Sequence, residues 1–117
     1  MNDEEKHIQL VFYRSSSGKE PVREWLKALN VEDRRLIGSD LKDVEYGWPI
    51  GMPLCRPITS RRGLWEVRSN LSGGRIARVL FCTAHGRLVA LHGFIKKSQK
   101  TPDKDLDLAT KRMKEGD

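Results

Sequence analysis

Gly63-Leu64-Trp65-Glu66-Val67-Arg68-Ser69-Asn70 leads through Leu71-Ser72-Gly73-Gly74-Arg75 into Ile76-Ala77-Arg78-Val79-Leu80-Phe81-Cys82-Thr83-Ala84. His85-Gly86 then precedes Arg87-Leu88-Val89-Ala90-Leu91-His92-Gly93-Phe94-Ile95. Three runs rich in β-branched, aliphatic and aromatic residues are parted by two glycine turns. They predict strands over 64–70, 76–83 and 88–95. Strands joined by such short turns can only return on themselves, so this part of the chain is an antiparallel meander.

Outward from that core, Pro57 confines 54–58 to an edge strand or an irregular extended piece. Residues 8–14 read as a first strand, ending at Ser15-Ser16-Ser17-Gly18. Pro21 can open a helix whose apolar face is Val22, Trp25, Leu26 and Leu29, with Asn30 breaking it. A second helix over 32–46 carries Leu36, Ile37, Leu41 and Val44 at helical spacing and stops at Gly47. A polar helix over 103–114 places Leu106, Ala109 and Met113 on one stripe, with Asp103 set to cap it. The order β-α-α-β-β-β-β-α predicts an α+β fold. Its antiparallel sheet has the N-terminal helical pair packed on one face, and a C-terminal helix follows. At 117 residues this is one domain, 1–117.

The chain carries a net charge of +6, with 38% hydrophobic and 32% charged residues. From Arg56 to Lys100 there are ten lysines and arginines against one acid, Glu66, whereas acids outnumber bases on either side. A segment that must supply strands to a core and still keeps ten cations is expected to face a polyanion, with RNA foremost. No apolar run approaches the ~20 residues needed to cross a bilayer. The acidic start Asp3-Glu4-Glu5 does not suit a secretory signal, so a cytoplasmic protein with no membrane partner is expected. Cys55 and Cys82 form no metal-ligand spacing and read as buried thiols in a reducing compartment.

Strand alternation puts Glu66 and Arg68 on the face opposite Trp65 and Val67, and Arg78 on the face opposite Ala77 and Val79. A hairpin pivoting on Gly73 makes Arg68 and Arg78 cross-strand neighbours, with Cβ atoms roughly 4.5–5.5 Å apart. Such a like-charge pair needs an anion, either Glu66 or a bound phosphate, or else it is two solvated arginines covering apolar surface. Which later side chains join them depends on register. A two-residue turn at His85-Gly86 brings Lys97 to the Arg78 face, and a three-residue loop brings His92 and Lys96 instead. Lys96, Lys97 and Lys100 cluster at a strand end, where they serve a ligand or merely protect the edge. Trp48 can stack on a base or pack under its loop. No phosphate loop, metal-ligand set or Ser-His-Asp arrangement is present, and no cofactor or metal is expected.

Three blocks, Gly63-Leu64-Trp65-Glu66-Val67-Arg68, Ala77-Arg78-Val79-Leu80-Phe81 and Leu91-His92-Gly93-Phe94-Ile95-Lys96-Lys97-Ser98-Gln99-Lys100-Thr101-Pro102, resemble the phage-derived, HigB-like branch of the RelE/ParE toxin superfamily. Ala109 and Arg112 extend the resemblance into the last helix. It implies a RelE-like fold and a toxin of a type II toxin–antitoxin system, silenced by a cognate antitoxin, typically a helix-turn-helix protein. It also implies cleavage of mRNA on the ribosome by 2′-hydroxyl attack, without a metal. Arg68, Arg78, Lys96 and Lys97 match basic positions that contact the scissile phosphate.

Glu66 is the acid placed to accept the hydroxyl proton or to hold Arg68 by a salt bridge. Arg61, Arg62, Arg75, His92, Gln99 and Lys100 complete the expected RNA-binding set. Gln99, Lys100 and Thr101 stand where many relatives carry a proton-transfer group. A gyrase-inhibiting toxin of the ParE type and a non-catalytic RNA-binding phage-derived protein are the alternatives.

Overall fold

A computed structural model describes residues 6–116, and the acidic start Asp3-Glu4-Glu5 lies outside them. The elements are β1 (Gln9–Phe12), α1 (Pro21–Ala28), α2 (Val31–Gly47), β2 (Cys55–Pro57), β3 (Trp65–Asn70), β4 (Ile76–Ala84), β5 (Arg87–Lys96) and α3 (Asp103–Glu115). They form an α+β fold of three helices and one five-stranded sheet, ordered β1-β5-β4-β3-β2. β2 to β5 are the expected antiparallel meander, with the Pro57 strand at one edge.

The sheet as a whole is mixed, because β1 pairs parallel with β5 at the opposite edge. This corrects the expectation of a purely antiparallel sheet. β1 leaves through two helices and not through a hairpin, so nothing ties it to β2, and it is free to run alongside β5.

Both faces of the sheet are covered. Val22, Ile37, Leu41 and Val44 from α1 and α2 pack on Val67, Ala77, Val79, Phe81, Leu88 and Ala90. On the other face Leu106 and Ala109 of α3 meet Leu80, Cys82, Leu91 and Phe94, with Tyr13, Ile58 and Leu64 at the margins. Each fully enclosed aliphatic or aromatic side chain here stabilises the fold by about 1.5–3 kcal/mol.

Trp48 packs edge-on against Trp65 and Phe81, at 5.0 and 5.6 Å between ring centroids. It is thus one of the side chains packed on the first core and is not offered to a base. Leu36, expected on the α2 stripe, is 36% exposed. α1 ends at Ala28 with Leu29 as its C-cap, before Asn30 is reached, and Asn30 caps α2, its side chain accepting from the Asp33 amide at 2.8 Å. Asp103 is the first residue of α3 and not its cap, a place taken by Pro102 without any side-chain capping bond. Cys55 and Cys82 are buried on opposite faces, and burial beside Glu66 pushes the Cys55 thiol up to about 11. Among the described residues no helix is long and apolar enough to cross a membrane.

One irregularity decides what the α3 face carries. The β4–β5 hairpin has the two-residue turn, His85 and Gly86 both lying at positive φ as such a turn requires. Pairing runs in step from Ala84↔Arg87 to Phe81↔Ala90, after which Leu80 pairs with His92 and Leu91 is left over. This β-bulge turns Leu91 and His92 both toward α3. The turn alone would have brought Lys97 to the Arg78 face, but the bulge reverses the facing. Phe94 therefore stands opposite Arg78, and Lys96 opposite Ile76. The Leu91 carbonyl freed by the bulge accepts a hydrogen bond from Arg112 Nη1 at 2.8 Å.

Candidate functional site

The β3–β4 hairpin pivots through a tight turn at Ser72–Gly74 and sets Arg68 directly opposite Arg78. Arg56 of β2 stands opposite Glu66 in the same way. The segment after β5 then crosses back over these strands, and three of its residues land on three strand positions. The Ser98 carbonyl accepts from Arg78 Nη2 at 2.7 Å. The Gln99 Oε1 accepts from Arg68 Nη2 at 2.8 Å. Thr101 Oγ1 donates to Glu66 Oε2 at 2.7 Å. A further bond from Ser98 Oγ to the Lys100 carbonyl at 3.3 Å closes the turn between them.

Beneath that segment, Glu66 and Arg78 are both completely enclosed, at 0% exposure. Arg78 Nε lies 3.2 Å from Glu66 Oε2, and Glu66 Oε1 accepts from Arg56 Nε at 2.9 Å. Glu66 thus holds Arg56 and Arg78, whereas Arg68 is held by Gln99. That corrects the expected Glu66–Arg68 salt bridge. Burial pushes the Arg78 pKa down, Glu66 opposes this, and the nearby Arg68 and Arg56 add to the lowering. A guanidinium keeps its proton under such pressure, so the pair stays ionic. Arg78 Nε and Nη1 make no hydrogen bond and are cut off from solvent. Such groups cost free energy wherever they are left.

Above the enclosed pair the cations reach solvent. Lys97 and Lys100 are exposed, and among the described residues neither has an ion-pair partner. A cleft of about 580 Å³ opens beside Lys100, which lines it together with Arg56, Thr59, Ser60, Gln99 and Thr101. Half-buried Arg68 lines a neighbouring groove with Leu54 and Asn70, so the Arg68–Gln99 bond bridges the two hollows.

The other expected residues are placed elsewhere. His92 Nε2 lies 2.7 Å from Asp105 Oδ1, and its ring is stacked on Phe94. Lys96 reaches over the Phe94 ring to within 3.8 Å of the other Asp105 oxygen. Arg61 binds Asp107 at 2.6 Å and fixes the chain before β3 to α3. Arg75 makes a two-pronged contact with the buried Asp33, at 2.7 and 3.0 Å, and ties the β3–β4 turn to α2. Arg62 is exposed.

Two residues of this arrangement escaped sequence reasoning. Arg56 sits in the strand that Pro57 made doubtful, and only its register against Glu66 reveals it. Asp105, two residues into α3, looked like an ordinary first-turn acid. Its i+1 neighbour Leu106 on the core stripe was the available hint that its side chain turns inward.

No curated protein matches the chain. The family description "Phage derived protein Gp49-like (DUF891)" matches residues 24–114, most of the chain and all of the site. The protein therefore belongs to the Gp49-like family of phage-derived proteins, within the RelE/ParE-like toxin superfamily.

Proposed function

We propose that the chain is the toxin of a type II toxin–antitoxin pair in the HigB-like branch, and that it cuts mRNA on the ribosome. The reading is supported above all by one observation. Arg68 is fixed by Gln99 beside exposed Lys97 and Lys100, with Arg56 across the adjoining cleft. Attack of a ribose 2′-oxygen on its neighbouring phosphorus adds negative charge to the equatorial oxygens, and the 5′-oxygen then leaves. Cations gathered around that phosphate stabilise the crowded intermediate more than the ground state.

Arg68 has the role of phosphate contact, with Lys97 and Lys100 as the mobile cations around it. Arg62 extends the binding surface. Arg78 and Glu66 act through the segment they anchor. Arg78 holds the Ser98 carbonyl and Glu66 holds Thr101, which leaves Gln99 and its flanking lysines aimed outward. Both are enclosed by that segment, so in this conformation they position it and do not touch RNA. Lys96 and His92, joined through Asp105, brace α3 behind the site. The partner that silences the toxin is an antitoxin.

The test is purified protein added to ribosomes translating a defined mRNA, with cut sites read by primer extension. Wild type gives cuts in phase with codons, and Arg68→Ala reduces them by about 10²–10³-fold, while Arg68→Lys keeps part of the activity. Wild-type cleavage by Arg68→Ala, or mRNA left intact by the wild-type protein, overturns the proposal.

A further inference from the structure

A hollow of about 700 Å³ plays no part in the site above. It lies between the turn after β1 and the end of α3, lined by Tyr13, Arg14, Ser15, Ser16, Lys111, Arg112 and Glu115 among others. The catalytic cleft adjoins the start of α3, at Asp103 and Leu106. At 1.5 Å per residue the two ends of this helix are about 18 Å apart.

Three cations line the hollow against one acid, and that acid accepts a hydrogen bond from the Tyr13 hydroxyl. Arg112 has an ordinary explanation, since it lies in the last turn of α3, where a cation complements the helix dipole. Arg14 has none, because it stands on the turn after β1, and its guanidinium lies over Gly18 on the same side as the hollow. Arg112 is already committed to the Leu91 carbonyl and to the Tyr13 ring. Arg14 and Lys111 are exposed, and among the described residues neither has an ion-pair partner.

A second, smaller hollow of about 210 Å³ adjoins the first through Arg112, which lines both. Its other walls are Pro21, Val22, Trp25, His92 and Gly93. The half-buried Trp25 ring lies across Gly93 so closely that a β-carbon there would sit 2.4 Å from it. A basic hollow that continues into a slot walled by an indole and an imidazole matches the two needs of a single-stranded nucleic acid. Its phosphates need cations and its bases need flat surfaces.

We infer that the groove between the β1–α1 turn and α3 is a second binding site for single-stranded RNA, separate from the cleavage site. Arg14 and Lys111 take its phosphates, and the Trp25–His92 slot takes a base. Only the identity of the polymer as RNA rests on the proposed function, and the site itself does not depend on cleavage.

The test uses a fluorescein-labelled, fully 2′-O-methylated RNA, which cannot be cut, and follows anisotropy over a range of sodium chloride concentrations. Each single-strand phosphate contact contributes about 0.7 to the slope of log K against log salt. An Arg14→Ala/Lys111→Ala double variant therefore loses about 1.4 from that slope, while its circular dichroism and melting stay those of wild type. The same loss must appear in an Arg68→Ala background, which separates this groove from the cleavage site. An unchanged slope overturns the inference. So does displacement of the RNA by inorganic phosphate beyond what sodium chloride achieves at equal ionic strength, which would mark a site for free phosphate. Loss of antitoxin binding with RNA binding intact overturns it too, by making the groove a protein-docking surface.

Discussion

The two faces of the sheet are built from the same strands and solve the same problem differently. Under α1 and α2 the covered strand positions are Val67, Ala77, Val79, Phe81, Leu88 and Ala90, with the small hydroxyl of Ser69 buried among them and no charged strand residue among those described. Under α3 and the segment leading into it, alternate residues of β3 and β4 bring Glu66 and Arg78 inside along with Leu80 and Cys82. An apolar pair in place of Glu66 and Arg78 would hold the sheet at least as well, because a buried ion pair recovers little more than its desolvation cost. What an apolar pair could not do is hold the Ser98 carbonyl and the Thr101 hydroxyl. The first face secures the fold. The second gives up some stability to fix an otherwise irregular segment in one place.

The largest effect expected from this difference comes from removing one ion of the enclosed pair. Arg78→Ala leaves Glu66 with Arg56 as its remaining counter-ion and the Ser98 carbonyl without its donor. It should destabilise the protein by about 3–5 kcal/mol in urea denaturation. In the surviving folded fraction, amide exchange should rise across residues 97–101 more than in β4 itself. Replacing both ions, as Arg78→Met with Glu66→Leu, should recover much of the stability without restoring protection in that segment. Protection that recovers along with stability would mean that packing, and not the ion pair, holds the segment.

The opposite face answers to shape alone. At Gly93 a β-carbon would meet three atoms of the Trp25 ring at 2.4, 2.6 and 2.9 Å. Trp25 belongs to the residues packed on the first core, beside Val22 and Leu26 of the same helix. Gly93→Ala is therefore expected to cost about 1–3 kcal/mol through overpacking. Tryptophan fluorescence should shift as the ring is displaced toward water. A neutral Gly93→Ala would show that α1 can move aside, and that the apolar face is less fixed than the ionic one.

The hairpins were legible in the sequence because each strand alternates cleanly and each turn carries its glycines. Arg68 opposite Arg78 follows from Gly73 at the pivot. The β4–β5 turn was legible in the same way, and yet the facing beyond it was not. The extra residue at Leu91 leaves no mark in a run that reads Leu-Val-Ala-Leu-His. Its carbonyl partner Arg112 is twenty-one residues away. Burial of Arg78 was hidden for a related reason. A strand arginine next to a strand-end lysine cluster looks solvated until the connecting segment is seen to fold back over it. The parallel β1 pairing also lay beyond local pattern, because helices of any length satisfy the alternation on either side of them. The family resemblance carried the superfamily and the coarse fold, but it did not reveal which of the matching cations are exposed.

The smallest effect belongs to an ion pair at the edge of the molecule, and it tests whether the enclosed pair is special. Arg75 grips Asp33 with both nitrogens and holds the Asp33 carboxyl below its ordinary value of 3.8, against the upward push of burial. A carboxylate whose folded pKa is lowered binds fewer protons folded than unfolded. Its stabilisation is therefore fully present above pH 3.8 and fades as pH falls below that value toward the folded pKa. Wild type should lose stability along this acid limb faster than Arg75→Ala, whose Asp33 titrates nearer the ordinary value. Above pH 5 the two stability curves should run parallel, offset by the lost contact. The measurement is urea denaturation between pH 2.5 and 6, with amide exchange at 97–101 followed alongside. If that segment loosens in step with Asp33, the turn, α2 and the 97–101 segment form one cooperative unit. If it stays protected while Asp33 titrates, the enclosed pair holds it independently, and the two faces are separable in energy as well as in composition.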